Sequence, residues 1–169
     1  MKSSEQNLPE QFRYTILAAQ RQGNRILQQK FGEIGLTTSQ AEVISVLNEW
    51  SPISLKQLGN LLICETGSPS RLVKRLVDEE LIQSVKNPND SRYVLLELTL
   101  DGKEKAKKLQ KIEQKFYQEL EQLFTNEELE NVVDLMSRLI GQYPIYKSLQ
   151  FRGILESKVL NSYIKKNNS

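Results

Sequence analysis

The stretch that decides the fold runs from Ser54 to Leu100 and reads SLKQLGNLLICETGSPSRLVKRLVDEELIQSVKNPNDSRYVLLELTL. Its apolar spacing and turn residues predict a short helix, a turn, a second helix and then a two-stranded ribbon. The second helix is predicted to begin near Thr66, because Thr66, Ser68 and Pro69 are start signals. Residues 87–91 are dense in turn formers and separate two strand-like segments, 83–87 and 93–98.

Apolar residues recur at helical spacing along the second helix, at Leu72, Val73, Leu76 and Val77. At about 100° per residue, the side chains that point away from this stripe are Gly67, Ser70, Arg71, Lys74, Arg75 and Asp78. The first half of that outer face is basic and hydroxylic, whereas the acids lie at the far end. Free backbone N–H groups and the helix dipole add positive potential to the same first half. The pattern therefore predicts an anion-binding surface there.

The ribbon that follows carries Arg92 at its tip and Lys86 nearby. A basic helix start beside a hairpin with an arginine is typical of one helix in a major groove and an arm in the adjacent minor groove. Ser54 and Gln57, at the start of the first helix, are candidates for phosphate contacts. The alternative for Ser54 is a helix cap that only satisfies backbone N–H groups.

The motif LxxL…SRLVxRLVxxxLIxxxxNPNDSRxxxLxLTxxG, from Leu55 to Gly102, resembles the winged helix-turn-helix of MarR-type transcriptional regulators. Asp90 and Arg92 match the Asp-x-Arg that the wing of this family typically carries. The resemblance implies a mainly α fold with a small β-ribbon wing, and a homodimer that binds double-stranded DNA, with Asp90 orienting the wing. The DNA-binding residues that we predict are Ser54, Gln57, Thr66, Ser68, Ser70, Arg71, Lys74, Arg75, Lys86 and Arg92.

The second helix would read the DNA sequence, and we call it the reading helix. Within it, Ser70 and Arg71 are predicted to contact base edges, and Lys74 and Arg75 to contact phosphate. The alternative is that all four contact the DNA backbone only. The same basic helix also fits a winged-helix module for protein–protein assembly, in which it would meet an acidic protein surface. Steep salt dependence of duplex binding would distinguish the DNA reader from the assembly module.

The sequence as a whole is predicted to form four segments. They are an N-terminal dimerisation helix at 8–35, the winged helix-turn-helix lobe at 36–102, C-terminal dimerisation helices at 103–143, and an additional helix and tail at 144–169. The first helix is predicted to be interrupted at 22–24, a Gln-Gly-Asn sequence. Long helices with little local core would expose apolar faces in a monomer, so a two-fold dimer is expected. Its reading helices would lie about 34–36 Å apart on a pseudo-palindromic operator.

Composition argues against several function classes. The chain has no histidine, which most triads, general acid–base sites and zinc sites use, so we expect neither an enzyme nor a cofactor. A net charge of +2 neither requires nor excludes a nucleic-acid partner. No stretch approaches the roughly 18–20 apolar residues of a membrane span, and the N-terminus lacks a signal peptide's apolar region, so a cytoplasmic protein is expected.

The resemblance also implies a sensor, because members of the family commonly release DNA on binding a small aromatic acid or on oxidation of a cysteine. Tyr14, Trp50 and Phe116 are candidates for an effector pocket by position, with core packing as the alternative. Cys64, the single cysteine, lies just before the reading helix and is the candidate redox residue. Its apolar neighbours and Glu65 predict a raised thiol pKa, which disfavours oxidant sensing.

Overall fold

The chain is described by a computed structural model that covers residues 7–64, 68–88, 90 and 92–155. Within those residues the fold is mainly helical, with one antiparallel two-stranded sheet, as the sequence predicts. The elements are α1 (Leu8–Gly32), α2 (Thr38–Trp50), α3 (Leu55–Leu61), α4 (Pro69–Asp78), β1 (Ile82–Lys86), β2 (Val94–Leu98), α5 (Leu100–Leu123), α6 (Asn126–Ile140) and α7 (Pro144–Phe151).

Helix α2 lies at the centre of the core. It begins with a capping box, in which the Thr37 hydroxyl accepts from the Gln40 N–H and the Gln40 side chain accepts from the Thr37 N–H. Val43, Ile44 and Leu47 are fully buried on it. Because α2 contacts α1, α3, α4, α5 and β2, it joins the DNA-reading lobe to the long helices.

Helix α1 is continuous from Leu8 to Gly32, so the predicted interruption at 22–24 is wrong. Gly23 lies in mid-helix, where no neighbouring group comes within 4 Å of its missing side chain. A single glycine costs a helix interior about 1 kcal/mol. The flanking glutamines, arginines and leucines favour helix strongly enough to span it.

The wing is a hairpin of β1 and β2, paired antiparallel from Ile82 with Leu98 to Lys86 with Val94. Strand β2 buries Leu96 and Leu98 and leaves Glu97, between them, partly exposed to solvent. Ile53 forms a one-residue bridge to the wing, with backbone hydrogen bonds in both directions to Leu96. These contacts fix the hairpin against the core at its base and leave its tip free of the core.

The C-terminal helices carry much exposed apolar surface. Helix α6 begins at a capping box formed by Thr125 and Glu128. Its side chains Val132, Leu135 and Leu139 are 54%, 46% and 47% exposed. No described helix has the length and apolar character that crossing a bilayer requires.

Helix α7 ends at Phe151, within the segment 144–169 for which the sequence predicts an additional helix and tail. Gly153 adopts a φ of +68°, and the N–H groups of Gly153 and Ile154 donate back to the carbonyls of Gln150 and Leu149. This is a Schellman stop, and glycine supplies the left-handed conformation that it needs. The rest of the predicted segment, residues 156–169, lies outside the described residues.

Candidate nucleic-acid interface

The reading helix is α4, and it begins at Pro69 rather than near Thr66. Proline suits the first helical position because its φ is preset and its missing N–H would have no partner there. Ser68 precedes it in an extended conformation, and its hydroxyl lies 2.6 Å from that of Ser70 instead of capping the helix. Thr66 lies outside the described residues, so its predicted DNA contact stays a prediction.

The outer face of α4 is the one that the sequence predicts. Its apolar back buries Val73 and Leu76 in the core, although Val77, near the helix end, is 38% exposed. The exposed polar side chains of the first two turns, with the acid that follows them, are Ser70, Arg71, Lys74, Arg75 and Asp78. Three cations therefore share one solvent-facing surface, on which Arg71 lies in the first turn, at the positive end of the helix, and Arg75 lies in the last turn.

The tip of the wing is organised by Asp90 and Arg92. The Asp90 carboxylate accepts from the Arg92 backbone N–H at 3.1 Å and from the guanidinium at 3.0 and 2.8 Å. These hydrogen bonds lower the pKa of Asp90 and raise the pKa of Arg92, so both groups are charged at neutral pH. The Arg92 side chain is still 81% exposed, and Lys86 is exposed at the end of β1. Asp90 thus holds an accessible arginine at the turn.

Ser54 and Gln57 form a second capping box at the start of α3. The Ser54 hydroxyl accepts from the Gln57 backbone N–H at 3.2 Å, and the side-chain amide oxygen of Gln57 accepts from the Ser54 backbone N–H at 2.9 Å. The cap interpretation of Ser54 is therefore confirmed. Both residues remain near the surface, and their phosphate contacts stay a prediction.

Two polar side chains of α2 hold α4 at its ends, and sequence reasoning missed both roles. Buried Gln40 donates to both carboxylate oxygens of Glu79, which follows the last turn of α4, at 3.2 and 3.0 Å. Glu42 accepts from the backbone N–H groups of Ile63 and Cys64, before the start of α4, at 2.7 and 2.8 Å. No sequence spacing signals such pairs, because they join residues more than 20 positions apart.

A cavity of about 750 Å³ separates the reading lobe from the long helices. Phe116 lines it, as an effector residue should. Tyr14 and Trp50 do not: Tyr14 is 52% exposed beneath the Arg13 guanidinium, and Trp50 is 39% exposed at the end of α2. The structure therefore does not bring the three predicted pocket residues together. The polar and charged groups of the wall include Thr38, Ser39, Glu42, Ser45, Glu113 and Arg152.

Burial raises the pKa of Glu113 in this wall, and the Ser45 hydroxyl and the Arg152 charge oppose that rise only in part. Glu113 accepts a long hydrogen bond of 3.5 Å from Ser45. The cavity thus has one carboxyl, Glu42, with an ion-pair partner and a second, Glu113, with weaker contacts. Its aromatic wall is formed by Phe31, Phe116 and Tyr117.

Cys64 also lines this cavity and is half-buried. Burial raises its thiol pKa, the Glu42 hydrogen bond and negative charge raise it further, and together they bring it to about 12. The predicted direction of the shift is confirmed, and Glu42 is an acid that contributes to it, whereas Glu65 lies outside the described residues. A neutral thiol is a poor nucleophile, so this environment disfavours Cys64 as an oxidant sensor.

Alkylation should reveal this neutral thiol directly. At pH 7.5 a pKa of about 12 leaves roughly a thousandfold less thiolate than an ordinary cysteine has. We expect iodoacetamide to label Cys64 at least about a hundredfold more slowly in the native protein than in the same chain unfolded in urea. Mass spectrometry is unambiguous here because the chain has a single cysteine. Equal rates would show that the thiol is activated.

Comparison with known proteins identifies this lobe. The winged helix DNA-binding domain family matches residues 36–102. The HTH-type transcriptional regulator MgrA of Staphylococcus aureus is 36% identical over 98 residues, which are 57% of this chain and 67% of MgrA. The multiple antibiotic resistance protein MarR of Escherichia coli is 26% identical over 118 residues, which are 69% of this chain and 82% of MarR.

Solved structures share the fold. A MarR-like transcription regulator from Bacillus cereus superposes with a TM-score of 0.68 at 24% identity, over 78% of this chain and 94% of that one. A mutant of E. coli MarR complexed with operator DNA also gives a TM-score of 0.68 at 24% identity, over 75% of this chain and 91% of that one. At these identities the structures establish the architecture alone.

Proposed function

This chain belongs to the MarR family of winged-helix transcriptional regulators, and from that membership we propose that it acts as a homodimer on a pseudo-palindromic DNA operator. The observation that carries the proposal is the outer face of α4, where Arg71, Lys74 and Arg75 are exposed and Arg71 lies beside the positive end of the helix. Phosphate contacts supply most of the affinity of such a surface, and base-edge contacts supply its specificity.

In this proposal Ser70 and Arg71 face base edges in the major groove, and Lys74 and Arg75 contact phosphate. Arg92 enters the adjacent minor groove from the wing, where Asp90 orients it, and Lys86 contacts the flanking backbone. Ser54, Gln57, Thr66 and Ser68 complete the proposed set around the start of the two helices. An Arg71 contact to guanine would contribute about 1–3 kcal/mol of discrimination.

The exposed apolar surface of the long helices supports the homodimer. Leu8 and Phe12 at the start of α1 are 67% and 43% exposed, and α6 exposes Val132 and Leu139 to a similar extent. Apolar surface of this kind on a small protein marks an interface. The proposed boundaries are 8–35 and 103–143 for the dimerisation helices and 36–102 for the DNA-binding lobe.

We further propose that the protein is a cytoplasmic repressor, without catalytic activity, that a small aromatic effector relieves. The cavity between the lobe and the long helices supports the effector site, because Phe116 and Tyr117 offer ring faces and Glu113 offers a hydrogen-bond acceptor. An effector with an aromatic ring and a donor group fits those walls. Titration of the intrinsic fluorescence of Trp50 and of operator affinity with such compounds tests this part.

Selection of duplexes from a random pool tests the DNA-binding function. We expect enrichment of pseudo-palindromic sequences and affinity that falls steeply with salt, by about 0.9 in log K per log salt for each phosphate contact. Arg92→Ala should weaken binding and lower that slope by up to about 2, because its charge is lost from both protomers of the proposed dimer. Filter binding or fluorescence anisotropy over a salt series measures both quantities.

Lys115→Ala is the matched control, because Lys115 is an exposed cation on α5, away from α4 and the wing. It should leave the slope unchanged. If no duplex is enriched at low salt, the protein–protein assembly module is the better interpretation. If Lys115→Ala changes the slope as much as Arg92→Ala, net charge rather than the wing controls binding.

A further inference from the structure

The described part of the segment that follows α6, residues 141–155, reaches Glu42, the partner of Ile63 and Cys64 in the turn that precedes the reading helix. Helix α7 packs against α3 and α6, and its Tyr146 is buried. The Ser148 hydroxyl donates to the Asn60 carbonyl, one residue before the end of α3, at 2.7 Å. One residue beyond α7, the Arg152 guanidinium lies 2.8 Å from the Glu42 carboxylate. The segment therefore reaches from the dimerisation helices to the helix-turn-helix.

Glu42 is shared between Arg152 and the turn before α4. Its Oε1 accepts from both the Arg152 guanidinium and the Ile63 N–H, and its Oε2 accepts from the Cys64 N–H. The side chains of Arg152 and Glu42 are only 15% and 14% exposed. One largely buried carboxylate thus links α2, Ile63 and Cys64, and the C-terminal segment.

Electrostatics makes Arg152 necessary for this arrangement. A buried carboxylate is costly unless it has both hydrogen-bond donors and a cation. Two backbone N–H groups supply donors without formal charge, and Arg152 is the cation that pairs with Glu42 in the described part of the chain. Without Arg152, the carboxylate would gain by turning toward water, and its hydrogen bonds to the turn would weaken.

The turn matters because it leads into the half of α4 that carries Ser70 and Arg71. The far end of α4 is fixed independently by the Gln40 contact to Glu79, and its back is fixed by Val73 and Leu76. The Glu42 hydrogen bonds hold Ile63 and Cys64, the last described residues before Ser68. Base-edge contacts require placement within about 0.5 Å, so looseness at this end lowers affinity.

We propose that Arg152 is a positioning residue for DNA binding, which holds the turn before α4 in its binding conformation through the Glu42 carboxylate. This inference rests on the proposed function of α4 as the reading helix. It gives the C-terminal segment a role in operator affinity, although Arg152 does not contact DNA. A residue that only stabilised the fold would lower the melting temperature and leave the affinity of the folded protein unchanged.

The test compares Arg152→Gln with Lys147→Gln, which removes a positive charge from an exposed position of α7. Both full-length variants are assayed on the selected operator at one salt concentration, below their melting temperatures. We expect Arg152→Gln to lose about tenfold in affinity and to exchange the Ile63 and Cys64 amide protons about tenfold faster. Lys147→Gln should match the wild-type protein in both measurements.

Two further variants separate positioning from stability. Arg152→Lys keeps a cation and should restore affinity to within about threefold of wild type. In a chain that carries Glu42→Gln, adding Arg152→Gln should have little further effect, because the two substitutions remove one interaction. If Arg152→Gln does not fold, Ser148→Ala replaces it and should accelerate the same two amide protons to a smaller extent.

Wild-type affinity of folded Arg152→Gln overturns the proposal. Unchanged exchange of Ile63 and Cys64 in folded Arg152→Gln, or in Ser148→Ala where that variant replaces it, also overturns the proposal. An equal loss with Lys147→Gln also overturns it, because net charge would then explain the effect. Failure of the wild-type protein to bind any duplex counts against the proposed function instead, and amide exchange still tests the Arg152 contact.

Discussion

Gly102→Ala should unfold the protein at a much lower temperature than wild type, with a loss of about 3 kcal/mol or more in the free energy of unfolding. Gly102 is buried in the first turn of α5. A Cβ there would lie 2.1 Å from the Leu81 carbonyl oxygen and 3.3 Å from the Leu98 Cβ. The Leu81 oxygen is backbone and already accepts from the Thr99 N–H, so it cannot move away cheaply.

Thermal unfolding followed by circular dichroism at one protein concentration measures this effect. For a chain of this size we expect the melting temperature to fall by about 6–12 °C or more. Gly23→Ala is the matched control, because Gly23 sits in mid-helix and nothing lies within 4 Å of the position that an added Cβ would occupy. That control should be neutral or stabilising by up to about 1 kcal/mol. Similar melting temperatures for Gly102→Ala and wild type would contradict the close approach of α5 to Leu81.

Leu139→Glu should convert the proposed dimer into monomers and reduce operator affinity by about a hundredfold or more. Leu139 is 47% exposed on the apolar side of α6, and a carboxylate there would have to be buried without a cation in a two-fold interface. Two linked reading helices bind far more tightly than one, because the second contact becomes intramolecular. Analytical ultracentrifugation measures the mass, and anisotropy measures the affinity.

Asn131→Glu adds the same charge to the same helix but on its polar side, and it should stay dimeric with unchanged affinity. A dimeric Leu139→Glu protein would place the interface elsewhere. A monomeric protein with wild-type affinity would show instead that one reading helix and one wing suffice for binding.

The winged helix-turn-helix was largely predictable because its signals are local. Periodicity placed Val73 and Leu76 on the buried side of α4, and Ser54 was identified as a candidate cap of the first helix, which the structure confirms. The errors are also local in origin. Gly23 was given too much weight as a helix breaker, and the stop at Gly153 was missed because the apolar spacing continues beyond it.

The polar contacts that surround the reading helix were not predictable, because they depend on tertiary structure. Arg152 and Glu42 are 110 positions apart, and Gln40 and Glu79 are 39 positions apart. Position in the sequence also did not predict that Tyr14 and Trp50 lie away from the cavity, since it does not determine which neighbouring element an aromatic side chain on a helix contacts. The direction of the Cys64 pKa shift was predicted correctly, because the apolar neighbours that raise the pKa are adjacent in the sequence. Glu42, which raises this pKa further, is 22 positions away and could not be identified from the sequence.

The shortness of α4 limits how much sequence one protomer can distinguish. A helix of 10 residues is about 15 Å long, and its cationic half covers about 7–8 Å, the rise of two or three base pairs. The acids that close the helix would be repelled by phosphate, so its C-terminal end must point out of the groove and the helix has one polarity on the duplex. Two short half-sites and the shape of the DNA between them must therefore together supply the specificity for one operator in a genome.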